Sequence, residues 1–162
     1  MEAQPNNVRK IPFAAILVGL VVVVALGLRA RDMWVARRLV LAEITLRDKT
    51  FTVEIADTEK KKERGLGGRD VLAVDHGMYF PFPSANYWVF WMKDMRFPID
   101  ILWIRDGVIV DIDASVPVPT SEDLETYSPI EPADAILELN AGLAAEIGVK
   151  AGDRVDVGSA QK

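Results

Sequence analysis

The stretch YWVFWMKDMRFPID, from Tyr87 to Asp100, decides how the rest of the chain folds, because it concentrates aromatic side chains beside a charged corner. Four of its first six residues are aromatic, and Lys93-Asp94 then introduces opposite charges. Such a pattern predicts a central strand over Tyr87–Met92, a corner, and a second strand. The first strand is either a core strand or an aromatic surface for a ligand. Alternation gives it two apolar faces, one with Tyr87, Val89 and Trp91 and the other with Trp88, Phe90 and Met92.

A β-hairpin is predicted immediately after this stretch. Asp106-Gly107 separates two apolar runs, Ile101–Arg105 and Val108–Asp113, and Asp-Gly favours a two-residue type I′ turn. The resulting register places Asp100 directly opposite Asp113, with Asp111 on the same face.

Opposed carboxylates destabilise a sheet unless something compensates for their charge. A divalent metal ion such as calcium or magnesium, bound by Asp100, Asp111 and Asp113, is one such compensation. Lys93 or Arg96 is another, and a third is a protonated carboxyl that acts as a general acid. The alternative is a solvated acidic surface whose side chains point apart.

The remaining elements are short. Alternation predicts a β-hairpin around Asp48-Lys49, and Thr58 precedes a charged helix that the glycines from Gly65 terminate. Asn140 is a candidate N-cap for a second helix. The predicted fold class is therefore mainly β (α+β), with a compact antiparallel, barrel-like sheet and two short helices. The other predicted strands are Gly77–Phe82, Ile136–Leu139 and Arg154–Val157, and residues 117–132 form a long loop.

The N-terminal part differs in composition from the rest. After a polar tail of residues 1–10, residues 11–28 carry no charge and would span roughly 27 Å as a helix. A transmembrane signal anchor is predicted here, with secretion as the alternative if it is cleaved. Residues 29–42 are then a juxtamembrane linker, 43–158 the globular domain and 159–162 a C-terminal tail.

Charge and motif content limit the function. Residues 1–38 carry about +4, whereas the remainder holds 13 basic and 22 acidic residues, so nucleic acid is an unsuitable partner. The chain has no cysteine, nucleophile elbow, Walker loop or dinucleotide fingerprint, and the sequence makes no cofactor evident beyond a divalent cation.

Several motifs together resemble one known family. Gly77-Met78-Tyr79-Phe80, Trp91-Met92-Lys93-Asp94 and Phe97-Pro98-Ile99-Asp100 occur in the order found in the DUF192 (UPF0127) family of uncharacterised proteins. The resemblance implies a small, mainly β domain that often follows an export signal, and it supplies no catalytic residues. This chain departs from the family at Gly67, where Met is usual, which removes an apolar plug beside the helix end. The resemblance also covers Gly65-Leu66, Leu137–Gly142 and Gly152-Asp153.

The sequence thus predicts a binding or accessory module rather than an enzyme. Four arginines follow the apolar run, and this charge distribution favours a cytoplasmic domain. Because an N-terminal apolar run usually serves export, the domain is nevertheless predicted to be extracytoplasmic. Lys93-Asp94 forms either an ion pair or an anion contact. A hydrolase that uses Asp100 and Asp113, and a structural partner of another membrane protein, are the alternatives. The predicted ligand, an envelope component or glycan, contacts Trp88, Trp91, Lys93, Asp94 and Asp100.

Overall fold

The computed structural model describes residues 40–121 and 125–159. The predicted tail, anchor and nearly all of the linker lie outside these ranges, and no helix within them is long and apolar enough to cross a membrane. The described strands are β1 (Leu41–Leu46), β2 (Lys49–Ile55), β3 (His76–Asn86), β4 (Phe90–Trp91), β5 (Ile99–Arg105), β6 (Val108–Val116), β7 (Thr126–Tyr127), β8 (Ala133–Asn140) and β9 (Val155–Val157), and the helices are α1 (Glu59–Arg64) and α2 (Leu143–Glu146).

Seven of these strands form one curled sheet in the order β6-β5-β8-β3-β2-β1-β9. All neighbours are antiparallel except β2 and β3. The two edge strands of the sheet, β6 and β9, approach each other at one end. There Val108 forms a bridge with Arg154, and the Val155 amide donates to the Gly107 carbonyl at 2.9 Å. The predicted mainly β fold, with a barrel-like sheet and two short helices, is therefore confirmed.

Each face of the sheet carries its own hydrophobic cluster. The inner cluster fills the curl and includes Phe51, Leu102 and Leu137. The outer cluster covers the opposite face and includes Phe80, Trp103 and Ile136. Side chains alternate across a strand, so consecutive residues such as Ile136 and Leu137 belong to different clusters. The outer cluster is completed by the segment that contains the aromatic stretch.

The β5–β6 hairpin forms around Asp106-Gly107, but its predicted register is wrong. Arg105 faces Val108 as expected, whereas beyond a bulge at Val110 the pairing shifts by one residue, so that Trp103 faces Asp111 and Ile101 faces Asp113. A shift by one residue moves side chains to the other face of a sheet. Asp100 and Asp113 therefore do not oppose each other.

The aromatic stretch is not the central strand that its composition predicts. The extended β3 occupies the position beside β8, and Tyr87–Val89 follow it without strand structure. Only Phe90–Trp91 forms a strand, which pairs with β7 in a separate two-stranded sheet. The predicted alternation nevertheless holds, because Tyr87 and Trp91 are exposed whereas Met92 is buried.

Several of the other sequence predictions are confirmed with small differences, whereas β7 lies within residues 117–132, which were predicted to form a loop. The β1–β2 hairpin turns at Arg47-Asp48, one residue earlier than predicted. Thr58 caps α1 by accepting a hydrogen bond from the Lys61 amide, and the helix ends at Gly65. The predicted N-cap at Asn140 is wrong, because α2 begins after Gly142.

Candidate functional site

A cleft of about 400 Å³ lies on the outer face of the sheet. One wall is the end of α1 with the glycine turn that follows, and the other is the aromatic segment around Trp88–Lys93. Its volume falls at the lower end of the range typical of small-molecule sites. The cleft is lined by Glu59, Lys62, Glu63, Arg64, Gly65, Leu66, Gly67, Phe80, Phe82, Trp88, Val89, Phe90, Trp91, Lys93, Met95 and Glu138.

Aromatic contacts hold one wall in place. Trp88 stacks on Phe82 with ring centroids 3.9 Å apart, and its indole N–H donates to the Ala133 carbonyl at 2.8 Å. Phe90 packs edge-on between Phe80 and Trp103, at centroid distances of 5.1 and 5.5 Å. Together with the short β4–β7 pairing, these contacts fix the wall, which makes the site largely preformed.

Helix α1 places cationic groups at the mouth of the cleft. The Lys62 ammonium lies 3.1 Å from the Glu59 carboxylate and 4.3 Å from the Phe82 ring centroid, so it has both an ionic and a cation–π partner. Arg64 and Lys93 are exposed, and among residues 40–121 and 125–159 neither has a carboxylate within salt-bridge distance. The predicted Lys93–Asp94 ion pair is thus not formed.

The turn after α1 packs against the corner that carries Lys93. The Gly68 amide donates to the Asp94 carbonyl at 2.8 Å. A Cβ atom at Gly67 would lie 2.9 Å from the Lys93 carbonyl oxygen, which is closer than such atoms normally approach. The glycine that departs from the family pattern therefore lets the two walls of the cleft meet at short range.

Glu138 on β8 lines the floor of the cleft. Its side chain is only 6% exposed, and Oε2 has no hydrogen-bond partner within the described ranges. This oxygen lies beneath Gly65, near the ring of Phe80. Burial raises the pKa of Glu138 to about 8, although the nearby Arg69 guanidinium acts in the opposite direction. At neutral pH the floor therefore carries a protonated carboxyl group.

Arg69 does not neutralise Glu138 directly, because it is engaged by Glu54. Its two terminal nitrogens lie 2.5 and 2.7 Å from the two carboxylate oxygens of Glu54, which is a bidentate pair. The hydrogen bond with Glu54 raises the pKa of Arg69 above its ordinary value. The arginine thus contributes positive potential to the floor, while its two terminal nitrogens donate hydrogen bonds to Glu54.

A shallow groove continues from the mouth of the cleft along α1 and the Lys93-Asp94 corner. Glu63, Arg64 and Lys93 border both, so the boundary that the two depressions share carries two cations and one carboxylate. The groove is lined by Lys60, Glu63, Arg64, Gly67, Gly68, Lys93, Asp94, Met95 and Arg96.

Of the predicted ligand-binding residues, the structure brings Trp88, Trp91 and Lys93 together in the cleft and places Asp94 in the groove. Asp100 lies apart from them. It is completely buried, and its carboxyl group accepts hydrogen bonds from the backbone amides of Ser115 at 2.7 Å, Gly142 at 3.0 Å and Ala144 at 2.8 Å. Asp100, which lies on β5, therefore caps the start of α2, and this is the role that was predicted for Asn140.

Each of the three predicted metal ligands accepts hydrogen bonds from different donor groups. Asp113 accepts from the Trp103 indole N–H at 2.7 Å, and Asp111 accepts from the Ile130 amide at 2.9 Å, while Asp100 caps α2. Burial raises the pKa of Asp113, opposed by that indole bond, and Asp111 adds to the increase. Within the described residues, no group of three or more acidic, His or Cys side chains is arranged to hold a metal ion.

Sequence reasoning missed the contribution of Glu138, Phe80 and Phe82. The sequence carries no clear signal for Glu138, because it alternates with Asp134, Ile136 and Asn140 on β8, and such a mostly polar set is typical of a solvated face. Phe80 and Phe82 were assigned to a strand, but their position beside α1 depends on contacts between distant segments.

The comparisons with known proteins agree with this architecture. A protein of unknown function from Novosphingobium aromaticivorans DSM 12444 is 31% identical, with a TM-score of 0.65 over 73% of this chain and 84% of its own. A candidate transcription regulator from Sinorhizobium meliloti 1021 is 35% identical, with a TM-score of 0.63 over 74% of this chain and 94% of its own. No curated protein gives a significant match.

The fold and cleft define a small, mainly β domain with one aromatic, partly cationic site on the outer face of its sheet. The family DUF192, described as "Uncharacterized ACR", matches residues 42–157. The chain therefore belongs to the DUF192 family, and the resemblance inferred from its motifs is confirmed.

Proposed function

We propose that this protein is a binding module whose ligand, an envelope component or glycan, occupies the aromatic cleft. The observation that carries the proposal is the buried carboxyl group of Glu138, whose Oε2 has no partner in the described part of the chain and which lines the cleft. Buried polar groups nearly always have a hydrogen-bond partner. A ligand in the cleft supplies that partner.

The aromatic wall supports a ligand with a flat, weakly polar face, such as a sugar ring. Trp91 is 47% exposed at the cleft and leaves part of its indole surface for contact. Aromatic side chains supply a large contact area at low entropic cost, while a few polar groups fix the orientation of the ligand. Lys93 and Glu138 are such polar groups here.

Replacing Trp91 by Ala is expected to weaken binding of an envelope glycan about 2–12-fold, since one aromatic contact contributes about 0.5–1.5 kcal/mol. Titration of the full-length protein, followed by tryptophan fluorescence and by calorimetry, measures the change. Tyr87→Ala is the matched control, because Tyr87 is exposed on the same segment but does not line the cleft. Equal losses in both variants, or none in either, contradict the proposed site.

The proposal also places the domain outside the cytoplasm, anchored by residues 11–28. The support is the uncharged run itself and the export signals that the family resemblance implies. The chain has no cysteine, so Ser84→Cys, at an exposed position in β3, introduces a single thiol. We expect a membrane-impermeant maleimide to label it in intact cells. Labelling only after lysis would place the domain in the cytoplasm.

Two alternatives remain proposals. A carboxylate- or metal-dependent hydrolase was suggested by the opposed pair of Asp100 and Asp113, and that pairing is not formed. A structural partner of another membrane protein requires an exposed apolar surface, and Tyr87 and Val89 offer one at 57% and 62% exposure. Loss of association with a membrane protein in Tyr87→Ala, without change in glycan binding, would favour this second alternative.

A further inference from the structure

We propose that the ligand of the cleft is an acidic saccharide, whose ring lies on the aromatic wall, whose carboxylate contacts Arg64 and Lys93, and whose buried end hydrogen-bonds Glu138. This inference rests on the proposed glycan-binding function and specifies the chemical class of the ligand. It is carried by three features that converge on one site: the unpartnered carboxyl oxygen, the aromatic surface and the two exposed cations.

Two exposed cations border both depressions of this otherwise acidic domain. Residues 39–162 hold 13 basic and 22 acidic side chains, yet Arg64 and Lys93 have no ionic partner in the described ranges and border both depressions. Lys62 is already engaged by Glu59 and by the Phe82 ring. Cations at the boundary of a site select for a ligand with negative charge at the corresponding position.

The carboxyl group of Glu138 sets the chemistry at the other end of the ligand. A protonated carboxyl donates one hydrogen bond and still accepts others, which suits a sugar hydroxyl or an acetamido carbonyl. An ionised group at this depth would repel an acidic ligand. The charged side chains around it are Glu54 on β2 with its partner Arg69, the residues Glu59, Lys62, Glu63 and Arg64 of α1, and Lys93 on the opposite wall.

The adjoining groove indicates that more than one sugar is bound. Its cations alternate with Glu63 and Asp94, so its positive charge is moderate rather than dense. A polymer with one carboxylate per residue and uncharged hydroxyls between fits such a mixed surface. A densely charged polyphosphate or nucleic acid is repelled by the two acids and by the acidic remainder of the domain.

The test compares three probes by calorimetry with the full-length protein at pH 6.5: a trisaccharide of uronic acids, its fully methyl-esterified form, and a linear polyphosphate. The ester removes the charge and keeps the rings. We expect the acid to bind at least tenfold more tightly than the ester. In Arg64→Gln/Lys93→Gln this preference falls to less than threefold, because the acid loses more affinity than the ester. Both substituted residues are exposed, so folding is expected to be unaffected.

The matched control is Lys150→Gln/Arg154→Gln, which removes two exposed positive charges away from the cleft and should keep the preference. Equal affinity for acid and ester overturns the acidic-saccharide inference but leaves the glycan-binding proposal standing. No binding of either saccharide overturns both. Binding of polyphosphate more tightly than the acid shows general anion attraction and also overturns the inference.

Discussion

The Glu138→Gln variant is expected to gain stability relative to the natural protein as pH rises. The difference in unfolding free energy between the two proteins grows by about 3–4 kcal/mol between pH 5 and pH 8. The natural carboxyl group has a folded-state pKa raised to about 8 by burial. An isosteric amide is neutral throughout this range. The substitution therefore removes the cost of keeping a proton on this group at a pH where the unfolded chain has released it.

The direction of the effect follows from proton binding. Between the unfolded pKa, about 4.3, and the folded pKa, the folded protein holds a proton that the unfolded chain has released. The contribution of Glu138 to stability is thus fully present below the unfolded pKa and is lost as pH rises through the folded value.

Urea unfolding of the full-length protein at pH 5, 6, 7 and 8, followed by tryptophan fluorescence, gives the free energy of each variant. Only the difference between Glu138→Gln and the natural protein is compared, so contributions from groups that both proteins share cancel. Glu131→Gln, at an exposed position that precedes β8, is the control and should give a difference that is flat with pH. A flat difference for Glu138→Gln as well would mean that Glu138 is ionised in the folded protein.

The second large effect is expected for Asp100→Asn. This substitution should lower the unfolding free energy by about 3 kcal/mol and the melting temperature by roughly 10 °C. The Asp100 carboxyl group accepts three backbone hydrogen bonds with no exposure to solvent. An amide keeps one acceptor oxygen and turns an N–H₂ group toward the Ala144 or Ser115 amide. The start of α2 then contains a buried donor without a partner.

Asp113→Asn is the matched comparison, because the sequence predicts the two aspartates as an equivalent pair. The Asp113 side chain is partly exposed, and an amide oxygen still accepts from the Trp103 indole, so a change below about 1 kcal/mol is expected. Thermal and urea unfolding of both variants measure the two losses of stability. A loss in Asp113→Asn equal to that in Asp100→Asn would contradict the capping role.

The elements that were predicted correctly depend on local sequence. Thr58 and Gly65 bound α1 because a cap and a C-terminal glycine act within a single helical turn. The Asp106-Gly107 turn forms for the same reason. The hairpin register was missed because the bulge at Val110 inserts one residue, and no local pattern marks its position.

The candidate site was only partly predictable. Trp88, Trp91 and Lys93 were identified from their concentration in one stretch, and the structure brings them together. Asp100 was misassigned because its partners, Gly142 and Ala144, lie more than forty positions along the chain. The importance of Glu138 depends on which segments cover the sheet, and that arrangement is a tertiary property.

The two hydrophobic clusters on opposite faces of the sheet have a consequence for how this domain diversifies. None of the residues of the inner cluster lines the cleft, whereas the outer cluster supplies its aromatic wall. Substitutions around the cleft therefore leave the packing inside the curl intact. The exposed lining residues Trp91 and Lys93 are thus suitable positions at which to engineer recognition of small molecules on this scaffold.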